Sequence, residues 1–234
     1  MRIAIMQPYA FPYLGYFQLA RHAEHFVLLD DVSYIKKGWI NRNRIVTAQG
    51  EYLFTIPLVK PSQNKKINTI ELCDFKKNAT ALLNIVRQSY KKMPYFEQGY
   101  NLLERCFTFE GELLVDFISH SLDTYFGYLQ IAASVHHSSV LDPQPQLTAQ
   151  NRIIHLNKLL DADTYLNLPG GQQLYDKCSF AEKGLQLEFI DTSVQLNYQQ
   201  PFGHRLNHMS IIDVTMCVSK ADIQRELSVF RTLS

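Results

Sequence analysis

Two adjacent carboxylates, Asp30 and Asp31, close a short apolar run at Phe26 to Leu29. Carboxylates at the end of a strand suit general-base work, magnesium binding or the holding of an amine. Upstream lies a turn rich in proline and tyrosine that carries Gln7, Tyr13, Gly15, Tyr16 and Gln18. Tyrosine hydroxyls donate to phosphate oxygens, and Tyr16 joins Asp30 and Asp31 as a candidate catalytic residue. A glycine inside a helix costs stability relative to alanine, so Gly15 implies the close approach of a ligand or a neighbouring backbone. Downstream, Lys36, Trp39, Asn41, Arg42 and Asn43 interleave charge with the only tryptophan. Here Arg42 is suited to gripping a phosphate by two parallel hydrogen bonds and Trp39 to stacking on a base or sugar face. A third group, Pro169-Gly170-Gly171 with Tyr175, offers backbone N–H groups to an anion, without the G-x-G-x-x-G fingerprint or the lysine of a P-loop.

These groups need elements to hold them. Ile3 to Met6 reads as a buried strand, about Tyr13 to Glu24 as a helix and Phe26 to Leu29 as a second strand. That order is a βαβ unit with parallel strands, and ligands of such sheets collect at the carboxyl ends of the strands. Gln7, the turn through Tyr13 and the Asp30-Asp31 pair therefore share one rim. Glu51 to Leu58 reads as a strand, with a hairpin turn near Gln49-Gly50, and Thr69 to Leu72 as a short one. From about 76 to 131 the pattern is helical, broken at Met93-Pro94 and Glu110-Gly111. His137 to Gln146 has loop composition. Thr148 is placed to cap a helix from Gln150 to Asp161, and Thr164 to Leu168 is a strand running into the glycine turn. A helix from Leu174 to Lys183 and a strand from Leu185 to Ile190 complete a second unit of this kind. Near the end, Ser210 and Ser219 start two short helices, with Asp222 completing a capping box. The economical architecture is a single α/β domain over residues 1–234, with a helical insertion or lid at about 76–131.

Composition narrows the function. With 234 residues, 46% of them apolar, and a formal net charge of +1, the chain has ample core and no general basic coat for nucleic acid. One basic, aromatic segment in a near-neutral chain favours a phosphorylated small molecule over a nucleic-acid strand. No run approaches the roughly 20 apolar residues of a membrane span, and the first residues lack the layout of a secretory signal. The expected compartment is the cytoplasm, with no membrane insertion. The four cysteines, Cys73, Cys106, Cys178 and Cys217, lack metal-ligand spacing and read as reduced, buried thiols. Neither His136-His137 nor the i,i+4 pair His204 and His208 makes a convincing metal site.

Tyr13-Leu14-Gly15-Tyr16 resembles the H-x-G-H signature of nucleotidyltransferases, at the same place between first strand and first helix. Both histidines are replaced by tyrosine, which carries no cationic charge at neutral pH, so the likeness speaks for fold and nucleotide contact. It implies a Rossmann-like parallel sheet similar to the nucleotidyltransferase (HUP-like) folds. Along nearly its whole length the chain also resembles the WbqC-like family. The matching pieces are MQPYAFPYLGYFQ (Met6 to Gln18), DDVSYIKKGWINRNRI (Asp30 to Ile45), FTIPL (Phe54 to Leu58), NLPGGQQLY (Asn167 to Tyr175) and LNHMSIIDVTM (Leu206 to Met216). The resemblance implies a bacterial protein of O-antigen or other surface-polysaccharide biosynthesis, and it brings no settled catalytic mechanism.

The expectation is an enzyme acting on a nucleotide-activated sugar by acyl or aminoacyl transfer to an amino sugar, with a nucleotide or acyl-CoA co-substrate and a role for magnesium left open. One alternative is a nucleotidyltransferase-like activating enzyme that uses an NTP and magnesium. The other is a non-catalytic subunit that binds the sugar nucleotide.

Overall fold

The structure is a computed structural model, described for residues 1–143, 145–192 and 196–233. It begins with β1 (Arg2–Met6), α1 (Leu14–Arg21) and β2 (His25–Leu28), followed by a hairpin of β3 (Arg42–Thr47) and β4 (Gly50–Thr55). Three helices come next: α2 (Phe75–Tyr90), α3 (Phe96–Cys106) and α4 (Leu114–Leu129). The chain then returns to the sheet through β5 (Ser134–His137), the short α5 (Ser138–Leu141), α6 (Ala149–Leu159) and β6 (Thr164–Asn167). It ends with α7 (Lys177–Ala181), β7 (Gln186–Ile190), α8 (Ile211–Cys217), α9 (Lys220–Leu227) and β8 (Thr232–Leu233).

The main sheet runs β5-β2-β1-β6-β7-β8, all parallel except the antiparallel edge strand β8. Counting the parallel strands in chain order gives 3-2-1-4-5, the Rossmann-like order, so the chain is an α/β protein of that type. The order reverses between β1 and β6, which opens a crevice at their carboxyl ends. In β1 the successive residues Ile3, Ala4 and Ile5 are all buried, so both faces of the strand are covered, as expected of a central parallel strand.

Several local expectations changed on folding. His137 ends a strand and the next four residues form α5, where the sequence predicts a loop. The segment Ser134–His137 is short and polar, and it becomes a strand only by pairing with β2, from His25↔Ser134 to Leu28↔His137. Residues 69–72 hold isolated bridges, Leu58↔Leu72 and Glu71↔Leu113, after a 3-10 turn at Ile67–Thr69. The helix expected from Leu174 shrinks to α7, which Asp176 caps through the Ser179 amide at 2.8 Å. Thr148 occupies the cap position of α6 without a side-chain capping bond. Ser219 does cap α9, by accepting from the Asp222 amide and donating to its carboxylate. Only Cys106 and Cys217 are buried thiols; Cys178 is exposed and Cys73 half-buried. Burial pushes the Cys106 thiol up to about 12, so it is an inert core group.

The three helices between β4 and β5 break where the sequence breaks, and α3 packs onto α8. At that crossing Gly99 of α3 faces the backbone of α8: a Cβ there would sit 2.8 Å from the Thr215 carbonyl oxygen. Gly99→Ala must therefore push two helices apart, and a loss of about 1–3 kcal/mol is expected by chemical denaturation.

Candidate functional site

Three separate stretches of sequence are stitched into one cleft behind β1. The loop after β1 turns at Phe11, a buried non-glycine residue with φ 47°, in the left-handed region that costs most side chains energy. Asn43 holds that turn by donating from Nδ2 to the Ala10 and Phe11 carbonyls at 3.2 and 2.8 Å. Ser210 Oγ donates to the same Phe11 carbonyl at 2.8 Å, and it also caps α8 by accepting from the Ile212 amide. Backbone bonds finish the seam: Ala10 N to Ile40 O, Ser210 N to Arg44 O and Ile211 N to Pro12 O.

The cleft, about 200 Å³, lies between Tyr9, Tyr13, Trp39, Asn43, Arg44 and His208. Its walls are aromatic. Tyr13 and His208 meet edge-on at 5.6 Å, and the Arg44 guanidinium lies 5.1 Å from the Trp39 ring centre. Arg44 is held in place by Glu51 at 2.9 Å and by the His208 carbonyl at 3.3 Å, while its Nε is buried and has no partner among the described residues. His208 itself has φ 55°, a second left-handed residue at this site. Burial raises the Tyr9 and Tyr13 hydroxyls above their ordinary pKa, so both present O–H donors at neutral pH.

A second polar assembly sits at the carboxyl ends of β2 and β5. Asp30 is 1% exposed, and its carboxylate accepts from Ser138 Oγ, Ser139 N, Ser139 Oγ and His137 Nδ1 at 3.0, 2.9, 2.7 and 3.2 Å. Burial alone would raise its pKa, but the bonds from His137, Ser139 and Ser138 outweigh that and hold it below the usual carboxylate value. Asp31 is paired with Arg152 at 3.0 Å and shares the Ser138 hydroxyl with Asp30, lying nearer to it at 2.5 Å, and Arg152 also holds Asp142. Asp31 and Arg152, with Thr148 and Gln150, form the polar part of a mostly apolar cleft of about 400 Å³, walled by Leu29, Leu147, Leu174 and Tyr175. Of the two aspartates, Asp31 thus faces a cleft and Asp30 does not.

The WbqC-like family model matches residues 7–225. The chain belongs to the WbqC-like protein family. An uncharacterized protein of Mycobacterium tuberculosis (strain ATCC 25618 / H37Rv), Rv1507c, is 26% identical over 215 residues, covering 91% of this chain and 92% of its own. No solved structure matches.

In this WbqC-like protein the sequence-derived candidates fall into distinct places. Tyr13, Trp39 and Asn43 line the aromatic cleft, and Gly15 and Gln18 border a smaller pocket on the far side of Tyr13 and His208. What approaches Gly15 is the ring of Tyr13: a Cβ would lie 2.5 Å from Tyr13 Cε2 and 3.1 Å from Thr192 Cγ2. Gln18 donates to the Val229 carbonyl at 3.0 Å. Tyr16 is carried inward, fully buried, where its hydroxyl donates to the Gln7 carbonyl at 3.1 Å and burial lifts its pKa well above the ordinary value. Asn41 is tied to Tyr34 and the Ile56 carbonyl, both at 2.8 Å, and Arg42 turns back onto the Gly38 and Lys37 carbonyls. Lys36 is exposed on the loop before Trp39. Gly170 is open to solvent, Gly171 packs on Asn167, and Tyr175 lines the cleft that Asp31 faces.

Four partners escaped the sequence reading: Ser138, Ser139, Arg152 and the Tyr9 wall. The serines and Arg152 lie over a hundred positions from Asp30 and Asp31, in stretches with no motif. Among the described residues no group of three or more His, Cys, Asp or Glu side chains is placed to hold a metal, and no helix is long and apolar enough to cross a membrane.

Proposed function

We propose that this WbqC-like protein is an enzyme of bacterial surface-polysaccharide biosynthesis that binds a nucleotide-activated sugar in the aromatic cleft. In this reading it transfers an acyl or aminoacyl group to the amino substituent of that sugar. The observation that carries the reading is the joining of aromatic walls, Tyr9, Tyr13 and Trp39, to the Arg44 guanidinium in one cleft of about 200 Å³. Aromatic faces stack on a base or a sugar ring, and a guanidinium bonds the diphosphate between them. Asn43 and His208 extend the polar edge of the same cleft. The apolar cleft beside Asp31 and Arg152 has the character of an acyl-group site.

Trp39 is the only tryptophan of the chain, so tryptophan emission, excited selectively over the tyrosines, reports this cleft. Titration with UDP- and dTDP-linked amino sugars is expected to change Trp39 emission saturably. Arg44→Ala is expected to weaken binding at least tenfold, consistent with about 1.5–3 kcal/mol for a hydrogen bond to a charged group. Unchanged emission with every sugar nucleotide, or equal affinity in Arg44→Ala, would sink the reading. A response confined to an NTP with magnesium would replace it with a nucleotide-activating enzyme.

A further inference from the structure

Helix α4 contains a hydroxyl that its neighbours do not explain. Ser121 and Thr124 on the same helix return their hydroxyls to backbone carbonyls, Ile118 O and His120 O, both at 2.8 Å. That is the usual fate of a hydroxyl inside a helix. Ser119 is diverted: its Oγ lies 3.0 Å from Nε2 of His137, at the end of β5. The other ring nitrogen, Nδ1, is 3.2 Å from Oδ2 of the buried Asp30. A carboxylate only accepts, so Asp30 sets the proton on Nδ1 and leaves Nε2 with a lone pair facing the Ser119 hydroxyl. Burial falls along the series: the Asp30 side chain is 2% exposed, His137 26%, and Ser119 is partly exposed. The charge is enclosed and the hydroxyl reaches solvent.

We propose that Ser119, His137 and Asp30 form a nucleophilic relay that carries an acyl group taken from an activated ester of the thioester class. Ser119 and His137 are the catalytic residues, and Asp30 is a positioning residue locked by Ser138 and Ser139. As Ser119 Oγ bonds to the acyl carbon, its proton passes to His137 Nε2. The carbon–sulfur bond breaks, and the departing thiolate takes that proton, leaving an ester on Ser119 and a free thiol. An amine then attacks the ester carbonyl and gives its proton, through His137, to Ser119 Oγ. The acyl group moves from sulfur to nitrogen without oxidation or reduction. Asp116 and Asp123 stand three positions before and four after Ser119 on α4, on the same helical face, and both act electrostatically on His137. They suit an acceptor that arrives as an ammonium ion, gives its extra proton to solvent water and attacks as the free amine. The relay deepens the acyl-transfer part of the function proposed above and rests on that reading for its amino-sugar acceptor.

The Asp30 hydrogen bond raises the His137 pKa against the opposing effect of burial, with further support from the charges of Asp30, Asp116 and Asp123. Nε2 becomes a base only once the proton is lost, so Ser119 reactivity should rise with pH to a midpoint above the ordinary imidazole value.

The test uses the full chain with a fluorophosphonate, which phosphonylates activated serines with loss of fluoride, and with p-nitrophenyl acetate. Peptide mass spectrometry is expected to place the adduct on Ser119. Ser119→Ala should abolish it, and His137→Gln should slow it by roughly a hundredfold or more. Asp30→Asn should move the pH midpoint; should that variant not fold, the wild-type pH profile and Ser119→Ala decide. No adduct on folded wild-type protein, or an undiminished adduct in Ser119→Ala, overturns the relay. Trp39 titration of Ser119→Ala separates the two proposals: sugar-nucleotide binding without an acyl-serine in the wild type sinks the relay alone, and an acyl-serine without sugar-nucleotide binding sinks the cleft reading alone.

Discussion

Arg152→Met is expected to destabilise the fold by about 3–5 kcal/mol, the cost of leaving buried charge without its partner. The Arg152 and Asp31 side chains are 6% and 5% exposed, so water does not replace what is lost. Arg152 also binds the Asp142 carboxylate and lies within reach of the Ser138 and Asp142 carbonyls, at 3.4 and 3.3 Å. One guanidinium thus ties the end of β2, α5 and α6 together. Methionine fills similar volume but leaves two carboxylates facing each other. Lysine restores the charge without the planar fork and should recover only part of the loss. Urea denaturation measures this directly, and a double-mutant cycle with Asp31→Asn isolates the pair. The double variant should lose less than the sum of the single ones, because removing both partners leaves fewer orphaned charges. Strict additivity would show that Arg152 acts through Asp142 alone.

Asp213→Ala is expected to cost about 3 kcal/mol and to weaken ligand binding in the aromatic cleft at the same time. Asp213 is fully buried on α8 and accepts from Tyr90 and Tyr198, each at 2.5 Å, and from Gln200 at 3.0 Å. Tyr90 in turn accepts from the Val46 amide at 2.7 Å, so one carboxylate fastens α2, β3 and α8. Alanine strands buried donors, each worth about 1–3 kcal/mol. The α8 cap, Ser210, also holds the strained Phe11 turn, which is how a change at Asp213 reaches the cleft. The pH dependence has a definite sign. Burial raises the Asp213 pKa against the lowering effect of its three donors. The native state therefore keeps a proton at a pH where the unfolded chain has lost it. Stability from this site is fully present below the ordinary carboxylate value and is lost as pH rises through the raised one. Asp30, with its lowered value, runs the other way: its contribution is present above the ordinary carboxylate value and fades as pH falls through the lowered one. Asp213→Asn should abolish the Asp213 component of the stability–pH profile and leave the Asp30 component in place. A profile unchanged by Asp213→Asn would rule out the raised value.

Much of the backbone was legible in the sequence. The first βαβ unit, the Gln49-Gly50 hairpin, the helix breaks near Pro94 and Gly111, and the Ser219 cap each rest on neighbours a few positions apart, and each formed. Local physics decides such features: apolar period, a proline without an N–H, a hydroxyl beside free amides. β5 was illegible for the complementary reason. Ser134–His137 has no apolar alternation, and it exists as a strand because β2 offers it a parallel edge.

The same division runs through the candidate site. Sequence alone determined which residue types were available: the paired aspartates at a strand end, the aromatic turn after β1, the basic stretch around Trp39 and the WbqC-like pattern that joins them. Tertiary structure decided what each one touches. It buried Tyr16, set the Tyr13 ring against Gly15, turned Arg42 back onto its own loop and put Arg44 against Trp39. It gave Asp31 to Arg152 and surrounded Asp30 with Ser138, Ser139 and His137, the first of them 108 positions away. A lone pair or an N–H is satisfied by whatever lies within about 3 Å, and only the folded chain determines which group that is.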